Sequence, residues 1–173
     1  MTSTPAETVR LVSRIVIKGR IEDVWREITK TDGAQMRYRA LSAGSPVQMR
    51  TPDAKYTSVV GEILEVTAPT RFSHTLRFTA YDEPFCKVTY ELKEVAEGVE
   101  FTLISEEVPA GSKTLKDMTR GGDFIVKTLK EVIETGKPAL GTRLLYVLFG
   151  LLAFTTPAQC RSDRWPLEAT THG

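Results

Sequence analysis

Between residues 47 and 106 the chain alternates polar and apolar residues in short runs, each closed by a turn signal. No other feature constrains the fold as much. A period of two gives each strand one apolar and one polar face, and breaks this short leave room only for hairpins. Residues 47–50 form the first run, and Pro52 with Asp53 closes it. YTSVVGEILEV follows over 56–66, where the mid-strand Gly61 predicts a bulge or bend. After Pro69, residues 71–78 place Phe72, His74, Leu76 and Phe78 on one face. Asp82, Glu83 and Pro84 mark the next turn. Residues 85–94 then separate Cys86, Val88, Tyr90 and Leu92 from Lys87, Thr89 and Glu91. Beyond Glu97 and Gly98, Val99, Phe101 and Leu103 face one way and Glu100 and Thr102 the other. Strands of this kind are antiparallel, with one face on the core and one toward water.

The flanks of this run carry helices. The segment VRLVSRIVI over 9–17 reads as one more strand. Ile21, Val24, Trp25 and Ile28 then fall at i, i+3, i+4 and i+7, the spacing of a single helix face. Thr31, Asp32 and Gly33 break this helix, and a second short one is predicted over 34–38. After Pro109, Gly111 and Ser112 a long helical stripe appears, carrying Leu115, Met118, Ile125, Leu129, Val132 and Ile133. Gly121 and Gly122 interrupt it, and Gly136 and Pro138 mark its end. The order predicts an α+β fold, with a curved antiparallel sheet of about six strands and a long C-terminal helix laid on one face.

Composition narrows the function. The 173 residues carry 23 Lys and Arg against 22 Asp and Glu, a formal charge of +1, so nothing electrostatic calls for nucleic acid as a partner. With 41% apolar residues the chain builds a real core. Cys86 and Cys160 stand far apart with no Cys/His cluster nearby, which argues against a disulfide framework or a metal site. The N-terminal stretch MTSTPAETVRLVSR lacks the apolar core of an export signal, so reduced thiols and a cytoplasmic location are expected. LLYVLFGLLAF over 144–154 has no charge but falls short of the ~20 residues that span a bilayer. No GxSxG, HExxH, phosphate-binding or dinucleotide-binding loop occurs, and Glu106 and Glu107 point to opposite faces of a strand. No catalytic residue, metal or cofactor is expected.

Several phrases, taken in order, carry a resemblance. They are Val24-Trp25 in IEDVWREIT, Gly61 to Val66 followed by Pro69, Phe72 with His74 to Arg77 in TRFSHTLRF, Val88 to Leu92, and Gly121-Gly122 in the last helix. Over residues 9–136 the chain resembles the START-like (SRPBCC, helix-grip) superfamily, within it the activator-of-heat-shock-protein-ATPase homologue (AHSA-like) type. Two positions depart from that pattern. AQMRYRA stands where the family usually carries Trp in the loop after the first helix, and Asp123 stands where a Trp usually follows the paired glycine.

The resemblance implies a cavity between the long helix and the concave sheet face. Carried over residue by residue, its walls draw on Trp25, Met36, Tyr38, Tyr56, Phe72, His74, Leu76, Tyr90, Phe101, Met118 and Gly122. Mostly apolar walls with a few polar tips suit a small hydrophobic molecule that is lipid-like, polyketide-like or aromatic. The reading is therefore a non-enzymatic binding module. Alternatives are a co-chaperone-like interaction domain of the stress response, with a chaperone as partner, and a cavity enzyme of cyclase or hydrolase type using His74 as acid or base. Residues 137–173 have no counterpart in the family pattern. Within them an apolar helix is expected over 140–154, packed across the domain or in a homodimer, followed by a loose tail that Trp165 anchors.

Overall fold

A computed structural model describes residues 6–31, 36–51, 53–137 and 156–167. Its elements run β1 (Thr8–Ile17), α1 (Ile21–Thr29), β2 (Met36–Tyr38), β3 (Pro46–Arg50), β4 (Thr57–Thr67), β5 (Arg71–Phe78), β6 (Cys86–Val95), β7 (Gly98–Pro109) and α2 (Lys113–Thr135). All seven strands form one antiparallel sheet in the order β1-β7-β6-β5-β4-β3-β2. This is the helix-grip architecture, with one strand more than the alternation predicts.

The extra strand is β2, where the sequence suggests a short helix. Met36 and Tyr38 pair with Met49 and Val47 of β3 and both turn to the core. Three residues are too few for the 2.0 and 3.6 periods to be told apart, so pairing with β3 decides the conformation. The Tyr38 hydroxyl donates to the Thr29 carbonyl at the end of α1, tying strand to helix.

Gly61 also differs from expectation. β4 shifts register twice, at Ser58 against β3 and between Ile63 and Glu65 against β5, and neither shift lies at Gly61. The extra residue, Leu64, flips the alternation, so Val66 opposite Phe72 faces inward while Glu65 reaches Arg71 outside at 2.9 Å. Without that flip the strand would aim Glu65 at the core. Gly61 answers a different need: a Cβ there would lie 1.9 Å from the Thr75 carbonyl oxygen of β5.

The core fills the concave side. Ile17 and Val24 meet Phe72, Val99 and Phe101 there, all fully buried. Phe72 stacks on Tyr90 with ring centroids 5.5 Å apart. α1 buries Ile21 and Val24, with Trp25 and Ile28 half-buried beside them, as its spacing predicts.

The start of α2 is capped from two directions. Ser112 Oγ accepts from the Leu115 N–H at 2.9 Å, and the Glu83 carboxylate accepts from the N–H groups of Lys113 and Thr114 at 3.0 and 2.9 Å. Donors that a helix N-terminus leaves orphaned are thus satisfied, one of them by its own cap residue and two by the β5–β6 loop. At the other end Gly136 adopts φ 77°, and its N–H bonds the Val132 carbonyl, the left-handed stop that favours glycine.

Residues 156–167 sit on the sheet rather than trailing from it. Two 3-10 turns, Ala158–Cys160 and Ser162–Arg164, lie beside β4. Tyr56 forms a bridge with Arg161, and the Trp165 carbonyl accepts from Gln48 and Arg50 of β3. Gln159 donates to the carbonyls of Thr79 and Ala80. The apolar run expected as a helix over 140–154, with its packing or dimer role, lies outside the described residues.

Candidate functional site

Six strand-to-strand spacings of about 4.8 Å make a sheet about 29 Å wide, whereas one helix with its side chains covers about 10–12 Å. α2 packs mainly against β1 and β7. Much of the concave face toward β3–β5 therefore lies beside the helix rather than under it, and a cavity of about 670 Å³ opens there.

Its walls are chiefly apolar. Val59, Leu76, Val88 and Leu103 come from the inward positions of β4, β5, β6 and β7, and Met118 and Phe124 come from α2. Gly121 and Gly122 bring the helix backbone to the wall. A Cβ at Gly121 would meet nothing within 4 Å, whereas at Gly122 it would come 2.8 Å from Ser13 Oγ. The second glycine thus permits close approach of α2 to β1, where Ser13 donates to Asp123 at 3.0 Å. Polar groups are few. Ser105 lies on the β7 side, Arg120 on the helix, and Asp117 accepts from the Tyr81 hydroxyl at 2.6 Å. That hydrogen bond to Asp117, with some burial, pushes the Tyr81 phenol up to about 12.

The residues expected at the site fall into three groups. Leu76, Tyr90, Met118 and Gly122 line the cavity. Phe72, His74 and Phe101 form the fully buried layer behind it. Trp25, Met36 and Tyr38 pack at the α1–β2 end of the core, and Tyr56 lies beside Arg161. The wall residues not singled out from sequence, such as Val59, Val88, Leu103 and Ser105, lie on the inward parity of their strands. Alternation marks them as inward. Which inward residues stay uncovered depends on where α2 rests.

Behind the wall, His74 is 0% exposed. Its Nδ1 lies 2.7 Å from the Thr75 carbonyl oxygen and its Nε2 lies 3.2 Å from the Tyr90 hydroxyl. A carbonyl only accepts, so Nδ1 carries the hydrogen. Burial lowers the imidazole to about 4, the Thr75 hydrogen bond acting weakly the other way, so the ring is neutral at pH 7. Nε2 therefore accepts, and Tyr90 donates to it. Burial also raises the Tyr90 phenol far above its ordinary value.

Cys86 is buried beside the cavity, its Sγ 3.4 Å from the Leu76 carbonyl and 3.8 Å from Met118 Sδ. Burial pushes its thiol up to about 11, so it is not a nucleophile at neutral pH. Among the described residues no group of three or more His, Cys, Asp or Glu is placed to hold a metal ion, and no helix is long and apolar enough to cross a membrane.

A second groove, of about 620 Å³, lies on the convex face between β4, β5 and Trp165. Val60, Leu64 and Phe85 line it, and the Arg77 guanidinium lies 4.9 Å from the Phe85 ring and 5.7 Å from that of Trp165.

A curved antiparallel sheet gripping a long C-terminal helix, with an apolar cleft beside that helix, defines a START-like protein of the helix-grip class. The chain belongs to the family described as activator of Hsp90 ATPase homolog 1-like protein, whose model matches residues 15–134. Among solved structures it is similar to the Aha1 dimer of Colwellia psychrerythraea, at 14% identity over 75% of this chain and 98% of that one, with a TM-score of 0.61. CalU16 of Micromonospora echinospora shares 17% identity over 87% of both chains, with a TM-score of 0.57. DynU16, a protein of the dynemicin biosynthetic locus, shares 22% identity over 78% of this chain and 49% of its own length, with a TM-score of 0.56. At these identities the likeness is one of fold. No curated protein matches the sequence.

Proposed function

We propose that this protein is a non-enzymatic binding module whose inner cavity takes one small hydrophobic molecule, lipid-like, polyketide-like or aromatic. The carrying observation is the cavity of about 670 Å³ beside α2, walled by Leu76, Val88, Leu103 and Met118. That volume lies within the ~300–1,000 Å³ of small-molecule sites, and apolar walls with few polar groups are what such sites present. The fold it shares with a protein of the dynemicin biosynthetic locus agrees with a small-molecule ligand. His74 stands behind Tyr90, out of reach of a molecule in the cavity, which weighs against the cyclase or hydrolase alternative. The family description supports the co-chaperone reading as a second role. An unchanged chaperone ATPase rate in the presence of this protein would count against it.

Ser105 offers the test. Its small side chain faces the cavity from β7, so Ser105→Phe fills space a ligand would use. Titration with the fluorescent apolar probe N-phenyl-1-naphthylamine should show affinity falling by about tenfold or more, the equivalent of ~1.4 kcal/mol of lost contact. Val60→Phe, on the convex groove, should leave affinity unchanged. Equal binding by wild type and Ser105→Phe would refute the assignment.

A further inference from the structure

We propose that His74 fixes the hydrogen-bonding direction of Tyr90, so that the cavity offers its ligand an oxygen acceptor there and selects hydrophobic molecules bearing a hydroxyl or N–H donor. This rests on the cavity reading above and names the chemistry it prefers.

Among the described residues, Tyr90 alone both lines the cavity and hydrogen-bonds the buried imidazole. A phenol has a single hydrogen and two lone pairs. The 2.7 Å contact to the Thr75 carbonyl holds the hydrogen of the neutral ring on Nδ1, which leaves Nε2 as acceptor and claims the Tyr90 hydrogen at 3.2 Å. Among the described residues no other hydrogen bond reaches the Tyr90 hydroxyl, so its lone pairs are unclaimed. The surroundings hold the arrangement in place. Tyr90 stacks on Phe72 at 5.5 Å and on His74 at 5.7 Å between ring centroids, and both partners are fully buried. Turning the hydroxyl hydrogen toward the cavity would leave Nε2 unpaired in the core, a loss buried polar groups rarely accept. A ligand carbonyl, ether or carboxylate therefore meets lone pairs at Tyr90, whereas an alcohol, phenol or amide N–H meets an acceptor. His74 acts here as a positioning residue and touches no ligand.

Three probes of one apolar body separate the cases: naphthalene, 2-naphthol as donor, and 2-acetylnaphthalene as acceptor, each measured by calorimetry on the full chain. In Tyr90→Phe the ratio of 2-naphthol to naphthalene affinity should fall about three- to tenfold, the range of one neutral hydrogen bond. The 2-acetylnaphthalene ratio should not change. In His74→Leu the freed phenol hydrogen should raise the 2-acetylnaphthalene ratio by a similar factor, which loss of packing alone does not do. If His74→Leu fails to fold, the isosteric Tyr90→Phe decides alone. Naphthalene binding with an unchanged 2-naphthol ratio in Tyr90→Phe, or with a lowered 2-acetylnaphthalene ratio, overturns this inference and leaves the cavity reading standing. Failure of wild type to bind any of the three probes overturns both.

Discussion

Gly61→Ala should lose about 3 kcal/mol of stability or more, and a thermal melt should drop by about 6–12 °C for a chain of this size. The reason is local and steric. A Cβ at this position of β4 would stand 1.9 Å from the Thr75 carbonyl oxygen and 2.7 Å from its carbon. Both atoms belong to backbone, so no rotamer change relieves the contact. β4 and β5 must separate, and their ladder between Val60–Arg77 and Ile63–His74 weakens with them. Those strands floor the cavity with Val59 and Leu76, so apolar ligand affinity should fall alongside stability. Gly121→Ala is the control. Its Cβ meets nothing within 4 Å, and exchanging a helical glycine for alanine should add roughly 0.5–1 kcal/mol. Urea unfolding of the two variants against wild type reads both signs in one experiment.

A second large effect should appear with pH. Folding takes His74 from its ordinary value of 6.5 to about 4, chiefly by burying it. Between those values the unfolded chain binds a proton that the folded chain refuses, so stability rises with pH across the window and is level above it. Run downward, acidification from pH 6.5 to 4 should remove roughly 3 kcal/mol, and about 2 of these should be gone by pH 5. Carboxylates held below their ordinary value of 3.8, such as Asp23 by Arg20 and Asp53 by Thr51, lose their contribution only lower still. Urea titrations at pH 5, 6 and 7 on wild type and His74→Phe check this. The variant should start less stable, because it strands the Tyr90 hydroxyl and the Thr75 carbonyl, yet its stability should stay nearly level across the range. Parallel slopes would show that His74 is not the group being titrated.

The architecture was legible because it rests on local periodicity. Phe72, His74 and Leu76 in β5, or Val99, Phe101 and Leu103 in β7, follow period two over enough residues to leave one solution, and Ser112 and Gly136 bound α2 with recognised end signals. β2 escaped because three residues carry no usable period and its structure comes from pairing with β3. Gly61 predicts a bulge or bend, and nothing local says that it instead accommodates the Thr75 carbonyl of β5 while a bulge lies beyond Ile63. The site was less legible than the fold for a related reason. Facing inward is written in each strand, but Leu76 and Tyr90 are expected at the cavity through the family resemblance rather than through alternation. Whether an inward residue meets α1, α2 or open space is decided by how helices lie across a sheet wider than either. Trp25 and Tyr38 thus belong to the packed end of the core, whereas Val59 and Ser105 border the cavity. Glu83 illustrates the same limit: its role as a cap for α2 joins residues about thirty apart and leaves no local signature.

Binding of a hydrophobic molecule between α2 and the concave face is tested most directly by methyl NMR during a naphthalene titration. The methyl signals of Val59, Leu76, Val88, Leu103 and Ile125, all on the cavity wall, should move together and saturate at one ligand per chain, while those of Val60 and Leu64 on the convex groove stay in place. Saturating shifts confined to Val60 and Leu64, or no saturating shift at the cavity methyls, would contradict it.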